Sequence, residues 1–165
     1  MEPRMNTGMV LKHQELTSRI IRVFFEVYNE LGFGFLESVY AGAMATAFGG
    51  AGLTVEREMP LDVRFRGSVV GHFRADLVVG GAVLVETKAC PSLHPAHNAQ
   101  VLNYLRATVL EVGLLLNFGP RPGIKRLVFD NSRKISLKNV SMDVKHRRTG
   151  RIPADPSPSV LICGS

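Results

Sequence analysis

Tryptophan is absent from this 165-residue chain, and cysteine occurs only twice, as Cys90 and Cys163. Two cysteines cannot build a disulfide framework, so the small disulfide-stapled scaffolds are excluded, and such sparing use fits a reducing cytoplasm. Also missing is an uninterrupted apolar run of about 20 residues, the length a membrane-spanning helix needs, and no membrane partner is expected. The opening stretch MEPRMNTGMVLKHQELTSR has no apolar core before Ile20, which argues against a secretory signal. What is present is 45% hydrophobic residues, among them nine phenylalanines. That supplies one packed core and is too little for two comfortable domains.

The net charge of +6 is unevenly spread. Residues 131–165 hold seven Lys or Arg against Asp143 and Asp155, a net of +5, while residues 1–130 hold 13 basic and 12 acidic side chains. The tail, including Lys145-His146-Arg147-Arg148, could hold a phosphate backbone through counterion release. Its composition, ending in PADPSPS, equally describes a solvated disordered end. The chain therefore divides into a flexible N-terminus (1–13), a folded domain (14–130) and a basic, then Pro/Ser-rich tail (131–165).

Within the domain, Leu16, Ile20, Val23, Val27 and Leu31 recur at helical spacing and Gly32 ends the run. A second helix is predicted from Leu36 to about Phe48. Alternation then predicts strands over 53–58 and 61–67, separated by Pro60, and over 69–80 and 82–89, joined by a tight turn at Gly80-Gly81. Residues 94–111 read as a helix with Val101, Leu102, Leu105 and Val109 on one side. The apolar run 112–119 reads as a strand covered on both faces, and 124–129 as one more strand. This order predicts an α/β fold with a mixed sheet and helices packed on it.

The chemistry concentrates in FRADLVVGGAVLVETK (73–88). Across the Gly80-Gly81 turn Asp76 and Glu86 fall nearly opposite each other, and Glu86 and Lys88, two apart in one strand, share a face. Two adjacent carboxylates repel unless a cation or proton is shared, and a hard divalent ion takes such oxygen ligands. An ordinary cross-strand surface pair is the plainer alternative. Glu37 opens the second helix, where an acidic residue also suits the helix dipole. Gln100 and Tyr104, four apart, share a face of the later helix. Arg74 shares a strand face with Asp76. His94, His97 and Cys90 are too few for a zinc site; helix capping or phosphate contact is the favoured role for the histidines.

Together, Glu37, Asp76, Glu86-Thr87-Lys88 and Gln100-Val101-Leu102-Asn103-Tyr104 resemble the PD-(D/E)XK nuclease superfamily, in particular its QxxxY branch of recombination- and phage-type exonucleases. GFLESVY, FRADLVV, VLVETKA and AQVLNYLRAT resemble more narrowly the small bacterial GxxExxY proteins. The resemblance covers roughly residues 14–130 as several ordered motifs. It implies a restriction-endonuclease-like αβββαβ core. It further implies Mg²⁺ (or Mn²⁺) held by Asp76, Glu86, the Thr87 backbone carbonyl and Glu37, with Lys88 orienting the attacking water. Gln100 and Tyr104 would support the site or contact the nucleic-acid backbone. Apart from the resemblance, Arg74 could pair with a carboxylate or touch phosphate, and His97 is a further candidate for nucleic-acid contact. The implied activity is metal-assisted phosphodiester hydrolysis, on DNA in preference to RNA. The competing reading is a catalytically silent nucleic-acid- or partner-binding module on the same fold. A nearly neutral domain body grips nucleic acid poorly unaided, which points to a homodimer or a partner protein.

Overall fold

The computed structural model describes residues 11–134. The expectations for residues 1–10 and for most of the tail, including its basic run, lie outside the described residues. The elements are α1 (Gln14–Leu31), α2 (Glu37–Gly50), β1 (Val55–Phe65), β2 (Ser68–Val79), β3 (Val83–Lys88), α3 (Pro95–Ala107), β4 (Val112–Phe118) and β5 (Pro122–Val128), followed by a short 3-10 turn, Asn131–Arg133. The five strands lie in sequence order in one sheet. All neighbours are antiparallel except β3 and β4, which run parallel and are joined by α3. This is an α/β fold with a mixed sheet, consistent with the restriction-endonuclease-like core anticipated above.

Two cores sandwich the sheet. On one face α1 and α2 bury Ile20, Phe24, Tyr40, Met44 and Phe48 against Leu77, Val79, Val83, Val85, Leu114, Leu116 and Phe118. On the other, α3 packs Val101, Tyr104 and Leu105 onto Val78, Leu84 and Leu115. Strands β3 and β4 are buried along their whole length, which is why β4 and the first half of β3 are continuous apolar runs rather than alternating ones. Close approach of α3 to β4 requires Gly113: a Cβ there would stand 2.5 Å from Val101 Cγ1. Gly80 and Gly81, at φ 60° and 62°, form the tight turn between β2 and β3, a backbone conformation that suits glycine.

Several sequence expectations are corrected. Pro60 does not separate two strands; it lies inside β1, paired with Arg74. β1 is the edge of the sheet, where a missing N–H can face away from the partner strand. The order is therefore ααβββαββ. In α1 the buried stripe is Thr17, Ile20, Val23, Phe24 and Val27. Leu31 is exposed because the last turn overhangs the core. Helix α3 stops at Ala107 rather than 111. The Thr108 hydroxyl donates back to the Tyr104 carbonyl (3.0 Å), the next residues turn into β4, and Val109 is left 57% exposed.

The described ends are stitched to each other and to the domain. Lys12 Nζ pairs with Asp130 (2.5 Å) and Glu111 (3.1 Å). Lys134, buried at 3% exposure, donates to the carbonyls of Thr108 and Leu110. Packing against the domain thus includes Lys134, four residues past Asp130.

Candidate active site

The β2–β3 ladder pairs Leu77–Val85, Val78–Leu84 and Val79–Val83, and goes no further. Continuing that register sets Asp76 beside Glu86. There the Asp76 carboxylate replaces the next ladder bond: its Oδ2 accepts from the Thr87 backbone N–H (2.8 Å) and from the Thr87 hydroxyl (2.6 Å). Opposite Asp76 in β1, between the pairs Arg57–Leu77 and Met59–Ala75, Glu58 takes a left-handed φ of 49°. A non-glycine residue seldom adopts that conformation, and it bends the edge strand beside the site.

Glu86 is almost fully buried at 3% exposure, and Lys88 at 8%. Glu86 Oε1 accepts from Lys88 Nζ (2.9 Å) and from Gln100 Nε2 (2.8 Å). The same Gln100 nitrogen also donates to the Tyr104 hydroxyl (2.8 Å), so one turn of α3 braces the carboxylate. Glu86 Oε2 is buried with no hydrogen-bond partner. A buried carboxylate oxygen left unpaired is costly. Burial, reinforced by the charge of Asp76, pushes the Glu86 carboxyl up to about 7 against the opposing pull of Lys88. For Lys88, burial favours the neutral amine, but attraction and hydrogen bonding to Glu86, with Glu37 and Asp76 adding, outweigh it and raise its pKa. Lys88 is thus a fixed cation, not a base.

Glu37 reaches the same place from α2. Its half-exposed carboxylate lies 3.9 Å from Lys88 Nζ. The loop that delivers it is held by Tyr40, whose hydroxyl donates to the Gly32 carbonyl (2.8 Å) and accepts from the Phe35 N–H (3.2 Å). The Tyr40 ring stacks on Phe118, centroids 4.2 Å apart and planes 12° from parallel. Gly34, Glu37 and Tyr40 therefore have distinct jobs: a φ of 111° in the loop, a carboxylate at the helix start, and the anchor beneath them.

The structure thus brings Glu37, Asp76, Glu86, Lys88, Gln100 and Tyr104 into one connected neighbourhood, with Thr87 bonded to Asp76. Among the described residues no cluster of three or more His, Cys, Asp or Glu side chains is placed to hold an ion, because Lys88 stands between Glu37 and Glu86. The remaining donor set still suits a hard divalent cation: two adjoining carboxylates, Glu86 Oε2 unpartnered, and Asp76 Oδ1 outside the bonds to Thr87. Arg74 is not drawn into this network; it extends to Glu58 at 3.9 Å and is largely exposed.

His94 and His97 cap α3. His94 Nδ1 accepts from the Ala96 N–H and His97 Nδ1 from the His94 N–H, both at 3.1 Å. Accepting at Nδ1 leaves the proton of a neutral ring on Nε2. Burial, then the charges of Lys88 and His94, lower the His97 pKa. The Cys90 sulfur turns instead to Ser92 O and Asn117 Oδ1.

Asn117 is a residue the sequence reading passed over. Its amide oxygen accepts from the Cys90 N–H (3.1 Å) and its amide nitrogen donates to the Cys90 carbonyl (2.9 Å). This latches the segment that follows Lys88 onto β4. The available signal was a lone amide in the otherwise apolar VGLLLNF.

The mixed five-stranded sheet thus carries an acidic pair and a buried lysine at the open end of β3. Residues 14–127 match the PD-(D/E)XK nuclease superfamily, and the chain belongs to it. Among curated proteins none matches. Among solved structures, the crystal structure of SSO0001 is similar at 18% identity over 73% of this chain and 67% of that one, with a TM-score of 0.39. No helix among the described residues is long and apolar enough to cross a membrane.

Proposed function

We propose that this chain is a divalent-metal-dependent nuclease, acting on DNA in preference to RNA. The observation that carries the reading is Glu86: a buried carboxylate braced at one oxygen by Lys88 and Gln100 and unpartnered at the other, beside Asp76. Such a group asks for a cation, and Mg²⁺ or Mn²⁺ on Asp76, Glu86 and the Thr87 carbonyl answers it, with Glu37 reaching the ion directly or through water. When bound, the ion supplies positive charge against the charge that builds on a phosphodiester under attack. Lys88, kept protonated by its acidic neighbours, orients the attacking water by donating to its oxygen and offsets charge on the phosphate. Gln100 and Tyr104 hold Glu86 in place. His97, with its Nε2–H, and Arg74 are the nearby donors for the nucleic-acid backbone.

The placement of Gly34, Glu37 and Tyr40 supports membership of the narrower GxxExxY group, and the Gln100–Tyr104 brace supports the QxxxY branch. The domain spans residues 14–130, with Lys12 and Lys134 tied to it at either end. A cytoplasmic protein acting as a homodimer or with a partner protein completes the reading. The silent binding-module alternative draws on one observation: Lys88 already partners both Glu86 and Glu37, so the acids are partly neutralised without an ion.

The test is cleavage of linear, nicked, single-stranded and branched DNA in Mg²⁺ and in Mn²⁺ by wild type, Glu86→Ala and Lys88→Ala. Metal-dependent cutting that falls at least about 10²-fold in both variants is expected. A wild type that binds nucleic acid but neither binds metal nor cuts moves the conclusion to the binding module.

A further inference from the structure

The β1–β2 hairpin is longer than the sheet that carries it. β2 pairs with β3 only at residues 77–79, yet its ladder with β1 continues to Phe65–Ser68. Residues 68–73 of β2 therefore run past the end of β3 at which Glu86 and Lys88 stand. At about 3.3 Å per residue this overhang is some 20 Å long. Its root is fixed by Met59, Leu61 and Ala75 in the α3-side core and by Phe73 against Tyr104, centroids 5.9 Å apart. Beyond the root, no third strand or helix among the described residues lies beside the two strands, and Phe65 and Val70 are 61% and 62% exposed. A bulge between Val63 and Arg64 adds twist to the arm.

Positive charge is concentrated here. The described residues, 11–134, carry 14 Lys or Arg and 11 Asp or Glu, a net of +3. Residues 59–75 alone carry Arg64, Arg66 and Arg74 against Asp62, a net of +2. Its acidic partners hold the arginines weakly. Arg64 lies 3.9 Å from Asp62 and Arg74 3.9 Å from Glu58, both beyond hydrogen-bond distance. Asp62 is bonded instead to His72 (2.8 Å). Arg66 rests over the Phe65 ring at 5.1 Å.

We infer that this hairpin is a duplex-holding arm, a two-stranded ribbon that enters the major groove of DNA beside the scissile bond, with Arg64 and Arg66 on the phosphates at its rims. This rests on the nuclease reading above and adds to it the form of the substrate. Two strands set about 4.8 Å apart fit the roughly 12 Å wide major groove of B-form DNA, whereas the deep, narrow major groove of A-form RNA excludes them. The arm's concentrated positive charge also favours its face for meeting the polyanion.

The experiment measures binding of the full chain, in a Glu86→Gln background that blocks cutting, to a labelled DNA duplex of about 20 base pairs and to the RNA duplex of the same sequence, across a salt series. Arg64→Ala/Arg66→Ala should weaken DNA binding about tenfold or more near 0.1 M salt and lower the slope of log K against log salt by about two. Arg64→Lys/Arg66→Lys should retain most of the slope, and Arg22→Ala, on the α1 layer, all of it. RNA duplex binding should be weaker and insensitive to the arm. Circular dichroism should be unchanged, since both tip arginines lie on the surface. Unaltered DNA affinity and slope in the double alanine variant, with wild type still cutting DNA, overturns the arm and leaves the nuclease intact. A wild type that neither binds nor cuts nucleic acid removes both. A change in sedimentation of the double variant, with DNA binding unchanged, makes the arm an interface between copies and overturns the proposal.

Discussion

Glu86 combines burial, an acidic neighbour and one unpartnered oxygen, and the three have a common consequence in its titration. Its folded-state pKa, about 7, lies above the ordinary 4.5. The folded protein therefore holds this proton more tightly than the unfolded chain. The contribution to stability is full below about pH 4.5 and is lost as pH rises through about 7. At about 1.4 kcal/mol per pKa unit, the loss in metal-free protein is on the order of 3 kcal/mol. Glu86→Gln should remove this slope while keeping an acceptor for Gln100. Its absolute stability above pH 7 gains less than the full amount, because Lys88 loses a charged partner. Denaturant unfolding in chelator from acid to neutral pH, comparing wild type with the variant, measures the difference, and parallel curves would reject the assignment. Sequence alone placed Asp76 and Glu86 opposite each other by counting from Gly80-Gly81. It could not show which Glu86 oxygen is left over, since that depends on Lys88, fixed by its own strand, and on Gln100, delivered by α3.

Among the elements, the α1–α2 loop is the one whose local sequence maps most directly onto function. Tyr40 is fully buried, and its hydroxyl holds both ends of the loop that presents Glu37. Tyr40→Phe keeps the stack on Phe118 and removes only those bonds, leaving a carbonyl and an N–H without partners. We expect a loss of roughly 1–3 kcal/mol in chemical denaturation. We also expect a fall in kcat larger than the change in KM, since Glu37 would lose its position more than the substrate its contacts. Equal loss of activity and stability to Tyr40→Phe and to a Phe24 truncation would mean that Tyr40 acts only as packing. The element boundaries show where local reading stops. The two glycines of the β2–β3 turn were legible because few residues adopt φ near 60°. Pro60 was misread as a break because its tolerance depends on β1 being an edge strand, a property of the assembled sheet. Asn117 went unnoticed because its partner, the Cys90 backbone, lies 27 residues away.

For the molecule as a whole, a cation bound only by the folded site must stabilise the fold by mass action. At about pH 8 and a hundredfold excess over Kd, the gain is about 2.7 kcal/mol, or very roughly 5–10 °C in Tm for a domain of this size. Mg²⁺ or Mn²⁺ should therefore raise the melting temperature of wild type, and the shift should disappear in Asp76→Ala and in Glu86→Gln. A shift that survives both substitutions places the ion elsewhere. The sequence by itself determined the α/β class and the ordered motifs, because periodicity and turn chemistry are local and because acidic residues inside apolar runs stand out. Only the tertiary structure decided that Glu37 meets Lys88, that Pro60 lies within a strand, and that the β1–β2 hairpin overhangs the site carrying exposed arginines. Each of these depends on strand register and on packing between elements far apart in the chain, and no local pattern of residues encodes such distances.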